Sequence, residues 1–141
     1  MEMSVVCAED VPFFDPDADH SSTLMGNTMT RASTIQCDIW PRGPMPDGFH
    51  DPVRSDVPVL LLSGELDPVT PPEYAETVAE HFPNSRHLVA PGQAHIVTTR
   101  GCMGKLVTEF LITARSDELE TECIELLKPS PFFLSLTGPT P

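Results

Sequence analysis

The strongest hydrophobic pattern in the chain starts at Val57. The run Val57-Pro58-Val59-Leu60-Leu61-Leu62-Ser63-Gly64 has no polar alternation, which predicts a strand over 59–63 buried on both faces of a parallel sheet. Thr70-Pro71-Pro72-Glu73 then reads as a capping box with proline at the first helical positions. The helix it opens is expected to run to about Phe82. Tyr74, Val78 and Phe82 recur every four residues with Ala75 and Ala79 beside them, giving one apolar stripe. Pro83-Asn84 stops this helix, and residues 86–90 read as the next strand. A turn, Pro91 to His95, leads to a second helix over 102–115. There Met103, Leu106, Val107, Phe110 and Leu111 fall at i, i+3, i+4, i+7 and i+8 and predict a buried face. Thr121 to Leu127 adds one or two helical turns.

Patterning is weaker on either side. Met3-Ser4-Val5-Val6-Cys7 is short and β-rich and reads as a strand ending in the acidic turn Ala8-Glu9-Asp10. Residues 11–21 read as loop, and residues 22–34 as a weak helix opposed by Gly26 and several threonines. From Trp40 to Pro58 the chain is Pro/Gly-rich and irregular. The tail, Lys128 to Pro141, carries four prolines and two phenylalanines and is expected to lie extended over the surface. This divides the chain into an irregular N-terminal segment (1–56), a strand-helix-strand-helix region (57–127) and a tail (128–141). Strands joined by helices imply right-handed crossovers and a parallel sheet, so the fold class is α/β. Two or three strands make a poor sheet alone, because both outer edges stay unpaired.

Composition narrows the function classes. The chain has 141 residues, a formal net charge of −13, and 8 basic against 21 acidic residues, so it has no basic patch. Nucleic-acid binding and attachment to an anionic membrane are therefore disfavoured. No apolar run approaches the ~18 residues of a membrane span, and the start Met-Glu-Met-Ser does not read as a signal peptide. Four cysteines, Cys7, Cys37, Cys102 and Cys123, include no C-x-x-C pair, which weakens zinc and redox-motif readings. An even count in an acidic chain suggests two disulfides and an oxidising compartment, against the alternative of four buried thiols. Of three pairings, Cys7–Cys37 with Cys102–Cys123 is preferred because each closes a local loop. Trp40 is expected to pack on the first disulfide or the sheet.

The chemistry concentrates where strands end. Asp67 lies four residues past Ser63, and His95 lies five past Ala90, so both fall at the carboxyl edge of the sheet, where functional groups of open α/β folds gather. An aspartate there can accept the imidazole Nδ1–H, fix the tautomer and stabilise the imidazolium. The order Asp then His, following an earlier Ser, is that of α/β-hydrolases. The competing reading of Asp67 is a turn or capping aspartate. His81 sits at a helix end, where a cation complements the dipole. His87 is expected exposed at a strand start, and His20 and His50 lie in loops. No histidine pair has metal-ligand spacing, so neither metal nor cofactor is expected. Ser63 lacks the surroundings of a nucleophile and reads as a small residue that lets the turn form. No Gly-x-Ser-x-Gly occurs in these 141 residues.

Gly64-Glu65-Leu66-Asp67-Pro68-Val69-Thr70-Pro71, Pro91-Gly92-Gln93-Ala94-His95 and Arg100-Gly101-Cys102-Met103 together resemble the C-terminal region of secreted α/β-hydrolases of the tripeptidyl aminopeptidase-like group, relatives of prolyl aminopeptidases. Val6-Cys7-Ala8-Glu9-Asp10 and Pro129-Ser130-Pro131-Phe132-Phe133 resemble that group as well. The resemblance implies a partial α/β-hydrolase fold entered by a strand leaving a cap, with Asp67 as triad acid and His95 as general base. It places the nucleophile and oxyanion hole upstream of Met1. Glu9 and Asp10 become candidates for binding a substrate's free α-amine, against the plainer reading of a solvated strand end. The implied partners are the remainder of the hydrolase domain and, in the whole enzyme, a peptide or small acyl substrate. The implied compartment is secreted or periplasmic. The chain is expected to be inactive alone. Ester or lactone hydrolysis and a non-catalytic, disulfide-stapled binding module are the rival functions. In one respect the sequence departs from the group: glycine tends to flank the histidine there, whereas Ala94 and Ile96 do so here, and a β-branched residue tolerates positive φ poorly.

Overall fold

A computed structural model describes residues 1–129, 131–133 and 135–138. The chain divides into two compact units, Met1–Asp51 and Pro52–Pro141.

The first unit is helical. An α-helix α1 (Glu2–Val5) runs into a π-helical turn (Val6–Asp10) and a 3-10 turn (Val11–Phe13), and a longer helix α2 spans Thr28–Ile39. The strand expected over Met3–Cys7 does not form. A strand needs a partner to satisfy its backbone, and no strand lies in this unit, whereas a helix closes its own hydrogen bonds and overrides the weak β preference of the valines. Cys7 on the π-helical turn and Cys37 on α2, both buried, join in a disulfide. The helix read weakly over 22–34 forms later, after the left-handed Gly26. Trp40 is 41% exposed and donates its indole N–H to Ser4 Oγ at 3.2 Å.

The second unit holds the sheet. Strands β1 (Val59–Gly64) and β2 (Ser85–Ala90) pair in parallel, Val59 opposite Ser85 and Gly64 opposite Ala90. Helix α3 (Pro72–Ala79) connects them, α4 (Met103–Thr113) follows β2, and a 3-10 helix spans Glu122–Leu126. Because side chains alternate along a strand, Leu60, Leu62, Leu88 and Ala90 share one face. That face packs on Met103 and Leu106 of α4 with Val97, Leu119 and Ile124, and these form the core. The opposite face is only partly covered, so β1 is half-buried rather than buried on both sides.

Two expected stripes are shorter than their periodicity suggests. α3 ends at Ala79, and its Tyr74 is 63% exposed with Val78 also at the surface; Ala75 is half-buried. On α4, Met103 and Leu106 are buried and Phe110 packs against the core, but Leu111 is 75% exposed. With two strands among the described residues, the sheet offers each helix enough apolar surface for one narrow face only. No helix among the described residues is long and apolar enough to cross a membrane.

The chain after α4 is tied back at two points. Cys102, which caps α4, is bonded to Cys123 in the 3-10 helix. The Arg86 guanidinium donates to the carbonyls of Ser116 and Leu119 and to Thr121 Oγ1, each at 2.9 Å. In the tail, Ser135 and Gly138 form an isolated antiparallel bridge, and Phe132 and Phe133 are exposed. Ser130, within one of the resembling segments, lies outside the described residues.

Candidate active site

Two loops leave the carboxyl ends of β1 and β2 side by side. Gly64 ends the first strand, and a Cβ built on it would fall on the carbonyl oxygens of Ala94 and Gln93. Only glycine lets the loops approach this closely. Backbone bonds then lock them: Glu65 N–H donates to Ala90 O at 3.1 Å and Leu66 N–H to Gln93 O at 2.8 Å. The Glu65 carboxylate reaches across and accepts the Gly92 N–H at 2.7 Å. Gly92 holds φ +63°, which only glycine adopts without strain.

This frame sets Asp67 against His95. His95 Nδ1 lies 2.9 Å from Asp67 Oδ2. The Asp67 side chain is 4% exposed and that of His95 is 46% exposed. Both Asp67 oxygens are fully used. Oδ1 accepts the N–H groups of Val69 and Thr70 at 2.8 and 3.1 Å, and Oδ2 accepts the Thr70 hydroxyl at 2.8 Å as well as the imidazole. The turn reading of Asp67 therefore holds for one oxygen while the other meets the histidine. Burial opposes ionisation of this carboxyl, but the bonds from His95, Thr70 and Val69 outweigh it and hold it well below the usual carboxylate range. An ionised, acceptor-only Asp67 requires the proton of neutral His95 to sit on Nδ1. Nε2 is then a lone-pair acceptor, and no hydrogen bond engages it among the described residues.

Thr70 was expected as a helix cap. Instead Pro71 is the N-cap residue of α3, with no side-chain cap bond. The Thr70 hydroxyl is drawn to Asp67 and lies 3.3 Å from His95 Nδ1. A Thr three residues after an Asp in a Pro-flanked turn carries that signal, but the same residues also fit a cap. Glu65 and Gln93 stand within the resembling segments, but the sequence reading gives them no role of their own. Gln93 donates its amide to Lys128 O at 3.0 Å, anchoring the histidine turn to the tail. A side chain that staples a neighbouring loop leaves no periodic signature.

The turn beyond the histidine adopts the geometry that glycine would favour. Ile96 holds φ +65°, a left-handed conformation costly for a β-branched residue.

The remaining candidates lie elsewhere. Ser63 is 5% exposed and bonded at 2.9 Å to His87 Nε2 on the sheet face away from the core. His87 is thus half-buried rather than exposed; burial holds its imidazole below the ordinary value, with Glu76 pulling the other way. Glu9 and Asp10 stand on the π-helical turn of the first unit. A cavity of about 410 Å³ in that unit, lined by residues including Phe14, Thr30, Arg31 and Ile35, has no histidine in its wall. Among the described residues no three His, Cys, Asp or Glu side chains gather as a metal site.

Neither a curated protein nor a solved structure matches the chain significantly. A family model described as TAP-like protein, an α/β-hydrolase family, matches residues 22–123. The match takes in both loops, the Asp67–His95 pair and the Cys102–Cys123 disulfide. Covering more than half of the sequence, it establishes that the chain belongs to the TAP-like family of α/β-hydrolases.

Proposed function

We propose that this chain is the C-terminal part of a serine hydrolase, in which Asp67 is the triad acid and His95 the general base. The observation that carries the reading is the 2.9 Å contact between His95 Nδ1 and Asp67 Oδ2 at the carboxyl ends of adjacent parallel strands. His95 Nε2 would take the proton of a serine hydroxyl as it attacks an acyl carbon. Asp67, held ionised, would stabilise the imidazolium. The same proton then passes to the leaving group as the acyl-enzyme forms, and water repeats the cycle to release the acid.

The serine and the oxyanion hole are contributed by sequence outside these 141 residues. A small sheet with unpaired edges and the exposed Tyr74, Val78, Leu111 and Ile112 supports a larger hydrolase domain completing this one. In that assembly residues 57–127 form the C-terminal subdomain and 1–56 the segment leading out of a cap. The substrate class we infer is the N-terminal end of peptides, as in the aminopeptidases that the loop sequences resemble; Glu9 and Asp10 are the candidate amine ligands. Two disulfides support a secreted or periplasmic location. Because an acid–base pair serves every acyl transfer, ester or lactone hydrolysis is the second reading.

A fluorophosphonate probe tests this. The 141-residue chain should not label, whereas the enzyme with its upstream sequence should label on one serine and lose labelling in His95→Ala. Stoichiometric labelling of the short chain would overturn the inactive-fragment reading. Labelling of the longer enzyme that survives His95→Ala would remove the base assignment.

A further inference from the structure

We propose that Glu65 is a positioning residue that couples the acid-bearing loop to the histidine turn; the inference rests on the reading of Asp67 and His95 as an acid–base pair. Glu65 stands two residues before Asp67, and its carboxylate accepts the N–H of Gly92, three residues before His95, at 2.7 Å. Apart from the Asp67–Thr70–His95 cluster, it makes the one side-chain hydrogen bond between these loops among the described residues. The acceptor is a carboxylate, so the bond belongs to the stronger, charge-assisted class.

The placement matters because of what it holds. Gly92 sits at φ +63° and hinges the segment from β2 to His95. Glycine has the broadest conformational range of any residue, so the hinge needs an external restraint to keep one geometry. The backbone of Glu65 supplies part of it by donating to Ala90 O, and its side chain supplies the rest by fixing the next turn. The same residue thereby determines where the acid loop starts and where the histidine turn bends. One residue further on, Gln93 ties the turn to Lys128 O, so two adjacent residues ahead of the imidazole are anchored. Glu65 does not touch the imidazole; it acts through the backbone, and its effect is on the population of His95 whose Nδ1–H faces Asp67.

The test is nitrogen-15 NMR of the full 141-residue chain, reading the His95 tautomer and the exchange of the Gly92 amide. Glu65→Ala should raise Gly92 exchange roughly tenfold, the loss expected for one charge-assisted bond, and should shift His95 away from the Nδ1–H tautomer. Glu65→Gln keeps an acceptor oxygen and should restore most of both signals, which separates the bond from a general folding defect. A His95 tautomer unchanged in Glu65→Ala, or a Glu65→Gln variant as perturbed as the alanine, would overturn the proposal. Asp67→Asn serves as the separate control: if it leaves the His95 tautomer unaltered, the acid–base reading itself fails, whatever Glu65 does.

Discussion

The Cα of Gly64 is the surface against which the Ala94 carbonyl rests, so the loop carrying Asp67 and the loop carrying His95 are packed backbone to backbone. Any side chain at position 64 must push the histidine turn away. Gly64→Ala is expected to destabilise the chain by about 1–3 kcal/mol, the usual cost of overpacking, and to lengthen the Asp67–His95 contact. Urea unfolding and the His95 Nδ1–H signal measure the two effects.

Asp67 links the pair to pH. Its carboxyl is held below the ordinary range in the folded chain, against the opposing effect of burial. A depressed acid contributes stability that is complete above the unfolded value of about 3.9 and is lost as pH falls through the lower folded value. Asp67→Asn is therefore expected to be less stable than the parent at pH 7, with the gap closing as pH falls below about 4. Urea midpoints of both proteins between pH 7 and pH 2 give the comparison, and a gap independent of pH would contradict it.

Ile96 holds φ +65° with its side chain at the surface. A left-handed L-residue costs about 1–2 kcal/mol, while glycine returns about 0.5–1 kcal/mol of that through its freer unfolded state. Ile96→Gly should raise stability by up to about 1 kcal/mol and leave the Asp67–His95 bond in place. Thermal unfolding with the same NMR readout checks both.

Arg86 holds the turn after α4 through four bonds, three of them to the backbone carbonyls of Ser116, Asp117 and Leu119. Arg86→Met should cost about 2–3 kcal/mol, because the carbonyls lose a charged donor. Arg86→Lys should recover little, since an ammonium cannot span the fork. Both follow from denaturant midpoints.

Breaking Cys102–Cys123 removes the closure of a loop with a sequence separation of 21. Cys102→Ala with Cys123→Ala should cost about 3 kcal/mol by the chain-entropy relation and loosen Leu127 and Lys128, the segment that accepts from Gln93.

Much of this molecule could be read in its sequence, for reasons that are local. The uninterrupted apolar run 59–62, the prolines at 71 and 72, and the Pro-Gly turn at 91 and 92 each constrain a few neighbouring residues, and the order β-α-β-α follows from them. Asp67 and His95 are legible as a pair of strand ends because period and topology put both at one edge of the sheet.

The tertiary structure decided everything that depends on what a residue meets. Val5 and Val6 fit a strand by propensity, yet with no partner strand in their unit they are helical. Thr70 fits a cap, but its hydroxyl donates to the buried Asp67 carboxylate and no side chain caps α3. Tyr74 and Leu111 have the right period for a core and face outward, because a two-stranded sheet covers too little. Glu65 is one acidic residue among 21; only the meeting of two loops 27 residues apart makes it a staple. Spacing along a chain fixes which groups can share an edge, and packing fixes which of them touch.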